Sequence, residues 1–312
     1  MNVKLQSKFR GALLGLACGD AVGTSVEFRK RGSFSPVTDM TGGGPFNLPK
    51  GYWTDDTSMA LCLATSLVER QGFDANDQMQ RYCRWRDTGY LSSTGKCFDI
   101  GIATNLALSD FKKTGNPFSG NADPRKAGNG CLMRLAPIPL YFYPDLKLTV
   151  EMAGENARTT HGALECIEAS KLFAAILHQA LSGANKQNIL LTHGVGDLGS
   201  AGLQAIAQGA YFNKPIDQIK GSGYVVESLE AALWCFYTTE SFEQAILAAA
   251  NLGDDADTTA AICGQLAGAF YGENNIPNHW LNALHQREMI GNLAEKLQIN
   301  TRDQSLIVNW KN

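Results

Sequence analysis

Apolar residues recur every three or four positions along most of this 312-residue chain. Residues 164–181 (LECIEASKLFAAILHQAL) and 259–269 (TAAICGQLAGA) show the pattern clearly. Such spacing places apolar side chains on one face of a helix, whereas the alternation typical of strands is weak throughout. The pattern predicts helices over residues 7–21, 57–70, 76–88, 99–110, 148–157, 162–181, 197–212, 223–237, 241–250, 258–271 and 278–298.

Small residues (Ala, Gly and Cys) are frequent along these helices and allow close helix–helix approach. We therefore expect an all-α fold, a single compact multi-helix domain over residues 1–312. Residues 29–52 and 112–130 are rich in Gly and Pro and interrupt the helical pattern. Irregular segments of this length inside a compact domain are often binding loops or lids.

Composition restricts the class of protein. The chain is 44% hydrophobic and 18% charged, with a net charge of −3, which is typical of a globular protein and gives no reason to expect nucleic acid as a partner. No apolar run reaches the length of a spanning helix, so membrane insertion is not expected, and residues 11–18 are too short for a signal segment. The eight cysteines are scattered, which favours the reducing cytoplasm.

Two acidic motifs suggest the chemistry. One is Trp53-Thr54-Asp55-Asp56-Thr57, and the other spans residues 253–259 (GDDADTT), about 200 residues later. Each puts carboxylates and threonine hydroxyls just before a predicted helix. If the motifs converge, the carboxylates would repel each other unless cations lay among them, and all-oxygen ligands suit Mg²⁺ or Mn²⁺. The alternative is that each motif only caps a helix, since Asp and Thr are favoured there.

Seven ordered blocks resemble the ADP-ribosylglycohydrolase family, and most closely its bacterial ADP-ribosyl-dinitrogen reductase hydrolases. The blocks are residues 11–28 (GALLGLACGDAVGTSVEF), 52–57 (YWTDDT), 97–101 (CFDIG), 128–134 (GNGCLMR), 160–161 (TH), 223–234 (GYVVESLEAALW) and 253–268 (GDDADTTAAICGQLAG).

The resemblance implies an all-α domain with a central binuclear metal site, which hydrolyses the N-glycosidic bond between ADP-ribose and an arginine of a modified protein, releasing ADP-ribose. Two divalent cations, Mg²⁺ or Mn²⁺, would balance the four aspartates. By motif, the metal ligands would be Thr54, Asp55, Asp56, Asp255, Asp257 and Thr258. Asp254 falls where many relatives have glycine, and we interpret it as a helix cap.

Two further carboxylates are candidate catalytic residues. By resemblance, Glu27 is a mobile acidic residue beside the metals that acts as general base or orients water; otherwise it is a surface glutamate at a helix end. Asp99 would contact the arginine side of the substrate or assist proton transfer, because a carboxylate pairs well with a guanidinium. The alternative for Asp99 is a cap for the helix expected from about residue 99.

The substrate-binding candidates come from three other blocks. Backbone N–H groups of Gly128, Asn129, Gly130 and Cys131 could cradle a diphosphate, although Asn-Gly is also a common turn pair. His161 could donate to a phosphate or ribose oxygen, or else cap the helix expected from about residue 162. Tyr224 could stack on adenine, or else be a core residue.

Two other functions remain open. The chain could be an immunity protein that reverses a toxin's ADP-ribosylation, or a hydrolase of another ADP-ribose linkage. It could also be a non-catalytic ADP-ribose-binding or structural member of the family. The intact carboxylates Glu27, Asp55, Asp56, Asp255 and Asp257 argue against the last of these.

Overall fold

The computed structural model describes residues 3–191 and 195–308, with side chains through residue 298. The helices are α1 (Val3–Gly23), α2 (Asp55–Arg70), α3 (Ala75–Thr88), α4 (Ile102–Thr114), α5 (Pro137–Phe142), α6 (Leu146–Thr160), α7 (Leu164–Ser182), α8 (Lys186–Leu190), α9 (Ala201–Ala207), α10 (Val225–Tyr237), α11 (Phe242–Ala250), α12 (Ala256–Tyr271), α13 (Asn278–Ala283) and α14 (Arg287–Val308). In these described ranges, extended backbone pairs only as isolated bridges. The all-α prediction is confirmed.

Some predicted boundaries are wrong. The single helix expected over 278–298 is broken, because Gln286 adopts a left-handed conformation (φ 55°) between α13 and α14. The helix expected over 197–212 is limited to α9, which a left-handed Gly209 follows. Helix α5 has prolines at both ends of its first turn and shows no helical pattern, so the sequence did not predict it.

Helices α1 and α12 form the centre of the protein. They run antiparallel, with Gly11 of α1 against Gly268 and Gly23 against Ala256. At Gly15 the two backbones are so close that a Cβ would clash with the carbonyl oxygen of Gly264. The small residues predicted to allow close packing therefore bring the two helix backbones into direct contact.

Substitution of Gly15 by alanine is expected to destabilise the fold. The added Cβ must push α1 and α12 apart, and overpacking of this kind costs about 1–3 kcal/mol. Chemical denaturation will measure the loss. Gly72→Ala is the matched control, because a Cβ at Gly72 meets nothing within 4 Å. Equal stability of the two variants would contradict the close packing.

Other helices pack around this pair, and the ends of α1, α2 and α12 meet at one place. Helices α10 and α11 pack on α12, while α14 packs on α1 and α2. The last turn of α1 lies beside the first turn of α12, and the start of α2 contacts both. This arrangement brings the two acidic motifs together although they are far apart in sequence.

The state of the cysteines and the length of the helices can be described for the same residues. All eight cysteines are free thiols, and all but Cys97 are buried. Within the described residues, none of the helices is both long and apolar enough to cross a bilayer.

Candidate active site

The N-termini of α2 and α12 meet at the floor of a cleft. Asp55 and Asp56 form the first turn of α2, and Asp257 lies in the first turn of α12. A threonine of each motif contacts an aspartate of the other motif. The Thr54 hydroxyl donates to Asp257 Oδ2 (3.3 Å), and the Thr258 hydroxyl donates to Asp56 Oδ1 (3.3 Å). The converging motifs therefore form one cluster of carboxylates.

Asp20, near the end of α1, organises the first motif. Its fully buried carboxylate accepts hydrogen bonds from the backbone N–H of Thr54 (2.9 Å) and of Thr57 (3.1 Å), and from both threonine hydroxyls. It thus binds the start of α2 as a capping residue would, from a distant part of the chain. Sequence reasoning assigned Asp20 no role, although a lone carboxylate after a long apolar run was a detectable signal.

Glu27 and Asp99 complete the acidic cluster. One carboxylate oxygen each from Glu27, Asp99 and Asp257 lies within 4.8 Å of the others. Glu27 is 4% exposed, so it is not the surface glutamate of the alternative interpretation. Asp99 adopts a left-handed conformation three residues before α4 begins, so it does not cap that helix.

Burial and mutual repulsion raise the pKa values of these carboxyls. Burial, followed by Asp99 and Asp255, raises the pKa of Glu27 to about 9. Burial, followed by Asp20 and Asp255, raises the pKa of Asp99 to about 7. The pKa values of Asp55, Asp56, Asp255 and Asp257 are also raised, with burial as the largest cause. The cluster therefore holds its negative charge poorly without cations.

The donor set fits divalent metal ions. Glu27 Oε2, Asp56 Oδ2 and Asp257 Oδ1 are buried and have no hydrogen-bond partner among the described residues. Buried carboxylate oxygens without donors are costly unless a cation binds them. Because all the donors are oxygens, the site suits hard ions such as Mg²⁺ or Mn²⁺ rather than Zn²⁺.

The metal-free protein is expected to lose stability as the pH rises. Folded pKa values of about 6 for Asp20, 7 for Asp99 and 9 for Glu27 lie above those of the unfolded chain. Protonation therefore contributes stability that is complete near pH 4 and is lost as the pH rises through these folded values. In EDTA, the melting temperature should fall by roughly 5 °C or more between about pH 5 and about pH 9. With Mn²⁺ present the fall should be smaller. An equal fall in melting temperature with Mn²⁺ and with EDTA would show that ions do not bind these carboxyls.

Asp254 does not cap α12, so that prediction is wrong. The N-cap position belongs to Asp255, and Asp254 precedes it in a left-handed conformation (φ 55°). A positive φ of this kind is the conformation that favours glycine. The Asp254 backbone pairs with the loop after Glu27: its N–H donates to Arg29 O (2.8 Å), and its carbonyl accepts from Phe28 N (2.7 Å).

The Gly128–Cys131 segment forms one wall of the cleft. The Asn129 amide donates to Asp255 Oδ2 (2.7 Å) and so orients a candidate metal ligand. The backbone N–H groups of Gly128 and Asn129 donate to protein carbonyls, and Gly130 lines the cleft whereas Cys131 does not. The Cys131 thiol is buried behind the loop and contacts Cys166 O.

His161 packs against this loop and lines the acidic cleft. Its ring is in contact range of Gly130, where an added Cβ would clash with it, and Nδ1 pairs with the Thr160 hydroxyl (2.8 Å). Burial and the neighbouring Arg134 lower the pKa of His161 to about 3, so the ring is neutral. It does not cap the next helix, because α7 begins at Leu164 with Ala163 at the N-cap.

A second cleft adjoins the first. The acidic cleft has a volume of about 850 Å³ and the second one of about 730 Å³, and Gly128 and Gly223 line both. The second cleft is mostly apolar. Tyr224 lies on its wall, is 40% exposed and donates its hydroxyl to Glu165 (2.7 Å). Tyr224 is therefore not a core residue.

The helical architecture and the paired acidic motifs are those of an ADP-ribosylglycohydrolase. The chain belongs to this family, whose family model matches residues 1–306. The family resemblance read from the sequence is confirmed.

The chain is also similar to individual proteins of known activity and to a solved structure. The chain is 44% identical to the ADP-ribosylarginine hydrolase Tri1 of Serratia proteamaculans, over 93% of this chain and 78% of that protein. It is 29% identical to the ADP-ribosyl-[dinitrogen reductase] glycohydrolase of Rhodospirillum rubrum, over 89% of this chain and 90% of that one. A solved structure described as an ADP-ribosylglycohydrolase-related protein complex matches with a TM-score of 0.84 and 45% identity, covering 96% of this chain and 99% of that chain.

Proposed function

We propose that this protein is a metal-dependent hydrolase that cleaves the N-glycosidic bond between ADP-ribose and an arginine side chain of a protein. The observation that carries the proposal is the convergence of two acidic motifs, with unpartnered buried oxygens, at the floor of a cleft. The similarity to proteins named ADP-ribosylarginine hydrolases, at 44% and 46% identity, supports arginine as the linkage.

Two divalent cations, Mg²⁺ or Mn²⁺, are proposed as cofactors. Their ligands would be Thr54, Asp55, Asp56, Asp255, Asp257 and Thr258. When bound, the ions would neutralise the cluster and act as Lewis acids on the ribose hydroxyls and a water molecule. Because the threonine hydroxyls already contact the aspartates of the opposite motif, they are close enough to bind the same ions.

The two clefts offer separate places for the two ends of ADP-ribose. The acidic cleft would receive the ribose that bears the scissile bond. The Gly128–Cys131 loop would bind the diphosphate, with Gly130 facing the cleft, and His161 would supply a neutral imidazole beside the loop. The apolar second cleft would hold adenine, with Tyr224 against the base.

Glu27 and Asp99 are placed to handle protons. In the proposed reaction, water attacks C1″ of the ribose while the C–N bond breaks and its electron pair stays on the guanidine. Glu27 accepts a proton from the attacking water as general base. A carboxylate oxygen of Asp99 lies within 4.8 Å of one of Glu27, and Asp99 would face the leaving guanidine. The same arrangement disfavours a non-catalytic role, since a structural protein has no need of a crowded carboxylate cluster.

The protein would act in the cytoplasm on an ADP-ribosylated protein and release ADP-ribose, with no nucleic acid or membrane as partner. The identity of that target separates a regulatory enzyme from a toxin-immunity protein. Gene neighbours distinguish these two roles: an ADP-ribosyltransferase that regulates nitrogenase, or a toxin gene.

The test is release of free ADP-ribose from an arginine-ADP-ribosylated protein, with Mg²⁺, with Mn²⁺ and with EDTA. Release that requires metal supports the arginine hydrolase and identifies the preferred ion. Tight binding of ADP-ribose without release under any condition would overturn the proposal in favour of another linkage or a binding protein.

A further inference from the structure

Phe28 is an exposed aromatic residue in a strained conformation at the mouth of the acidic cleft. Its side chain is 66% exposed, and its φ of 62° lies in the left-handed region that bulky residues rarely adopt. A hydrogen bond from its backbone N–H to Asp254 O (2.7 Å) holds it there. Exposure and strain both oppose the stability of the free protein, and such strain clusters at functional sites.

Two further rings support Phe28 from the side. Phe46, in the Gly- and Pro-rich loop, meets Phe28 at a centroid distance of 6.5 Å with the planes at 74°, and Phe98 lies 5.2 Å from Phe46. None of the three rings belongs to the hydrophobic core. Because Phe46 meets Phe28 at a steep angle, the two rings are not stacked.

The position of the Phe28 ring in the cleft favours a cation as its ligand. Phe28 directly follows Glu27 and lines the cleft together with Asp55 and Asp99. An aromatic face attracts cations. The neighbouring Arg29 does not supply the cation, since its guanidinium lies over Phe34, 5.5 Å from the ring centroid.

Phe28 also lies in the part of the acidic cleft that does not border the second cleft. Four residues line both clefts, namely Ile102, Ala103, Gly128 and Gly223, whereas Glu27, Phe28 and Asp99 line only the acidic one. A group attached to the ribose through the scissile bond would therefore leave toward the side of Glu27, Asp99 and Phe28. Planar, weakly hydrated guanidinium stacks well on aromatic faces.

We propose that Phe28 binds the guanidinium of the target arginine and makes the site specific for this leaving group. The proposal rests on the proposed function of the same site. It makes a distinct claim, because it assigns Phe28 to the arginine half of the substrate and not to ADP-ribose.

The test compares two ligands that differ only in the guanidinium side. The metal-loaded protein hydrolyses ADP-ribosylarginine, and free ADP-ribose serves as competitive inhibitor. In Phe28→Leu, which keeps an apolar side chain without a π face, KM for ADP-ribosylarginine should rise roughly five- to tenfold. The inhibition constant of ADP-ribose and the melting temperature should not change. Phe28→Tyr keeps the ring and should match the wild type.

Other outcomes overturn the proposal. An equal loss of affinity for both ligands would assign Phe28 to ADP-ribose, and an unchanged KM in Phe28→Leu would remove it from recognition. Failure of the proposed function can be distinguished from failure of the Phe28 proposal. A wild-type protein that binds ADP-ribosylarginine in calorimetry without hydrolysing it still permits the comparison of Phe28→Leu with Phe28→Tyr, with affinity as the readout.

Discussion

Asp257→Asn is expected to abolish metal binding and turnover together while it stabilises the metal-free protein. Asp257 lies in the first turn of α12, where it accepts from Thr54 and crowds Glu27 and Asp56. Loss of a ligand should weaken metal binding by more than the 10–100-fold that loss of an outer-shell partner typically causes, so about 100-fold or more. Calorimetric titration with Mn²⁺ measures this directly.

The same variant should melt at a higher temperature than the wild type in EDTA near pH 8, because one repelling charge is gone. Asp254→Asn is the matched control: it removes a charge from the same motif at an exposed residue and should leave metal affinity intact. Retained turnover in Asp257→Asn would refute the two-metal assignment, and a lower melting temperature in EDTA would refute the account of the charge cluster.

Glu27→Gln should retain ADP-ribose binding and lose most of the hydrolytic rate. The amide has nearly the shape of the carboxylate but cannot accept the proton of the attacking water. Loss of a general base lowers the rate by roughly 10²–10⁴-fold. Single-turnover release of ADP-ribose measures the chemical step, and calorimetry with ADP-ribose measures binding.

Metal affinity provides the control for this variant. If Glu27 acts as a base and not as an essential ligand, Glu27→Gln should bind Mn²⁺ with nearly the wild-type affinity. A wild-type rate would remove Glu27 from the mechanism. A loss of metal affinity as large as that of Asp257→Asn would reassign it as a ligand.

The sequence was sufficient for the fold class, the family and most helices, because those depend on local periodicity and on ordered motifs. It was also sufficient to suggest that residues 54–56 and 255–258 converge. What it could not provide was the set of long-range contacts at the site. Asp20 appears in sequence as one polar residue in an apolar helix, and only tertiary structure brings it to the N-terminus of α2.

Backbone conformation was the other missing information. Asp99, Asp254 and Gln286 all adopt left-handed conformations although none of them is a glycine. At Asp99 and Gln286 the left-handed turn delays or breaks a helix, and at Asp254 it excludes the expected cap. Since such conformations are unfavourable for most residues, they are set by tertiary contacts and not by local preference.

The antiparallel pairing of α1 and α12 has a consequence for how the protein is made. Helix α1 is almost wholly buried in the finished fold, yet its main partner follows it by roughly 230 residues, so at about 5–20 residues per second it waits on the order of 10–50 s on the ribosome. During that interval an apolar, glycine-rich helix lacks its main packing partner. A chaperone that shields nascent apolar segments should therefore raise the yield of folded protein, and the metal site can be completed only after α12 has emerged.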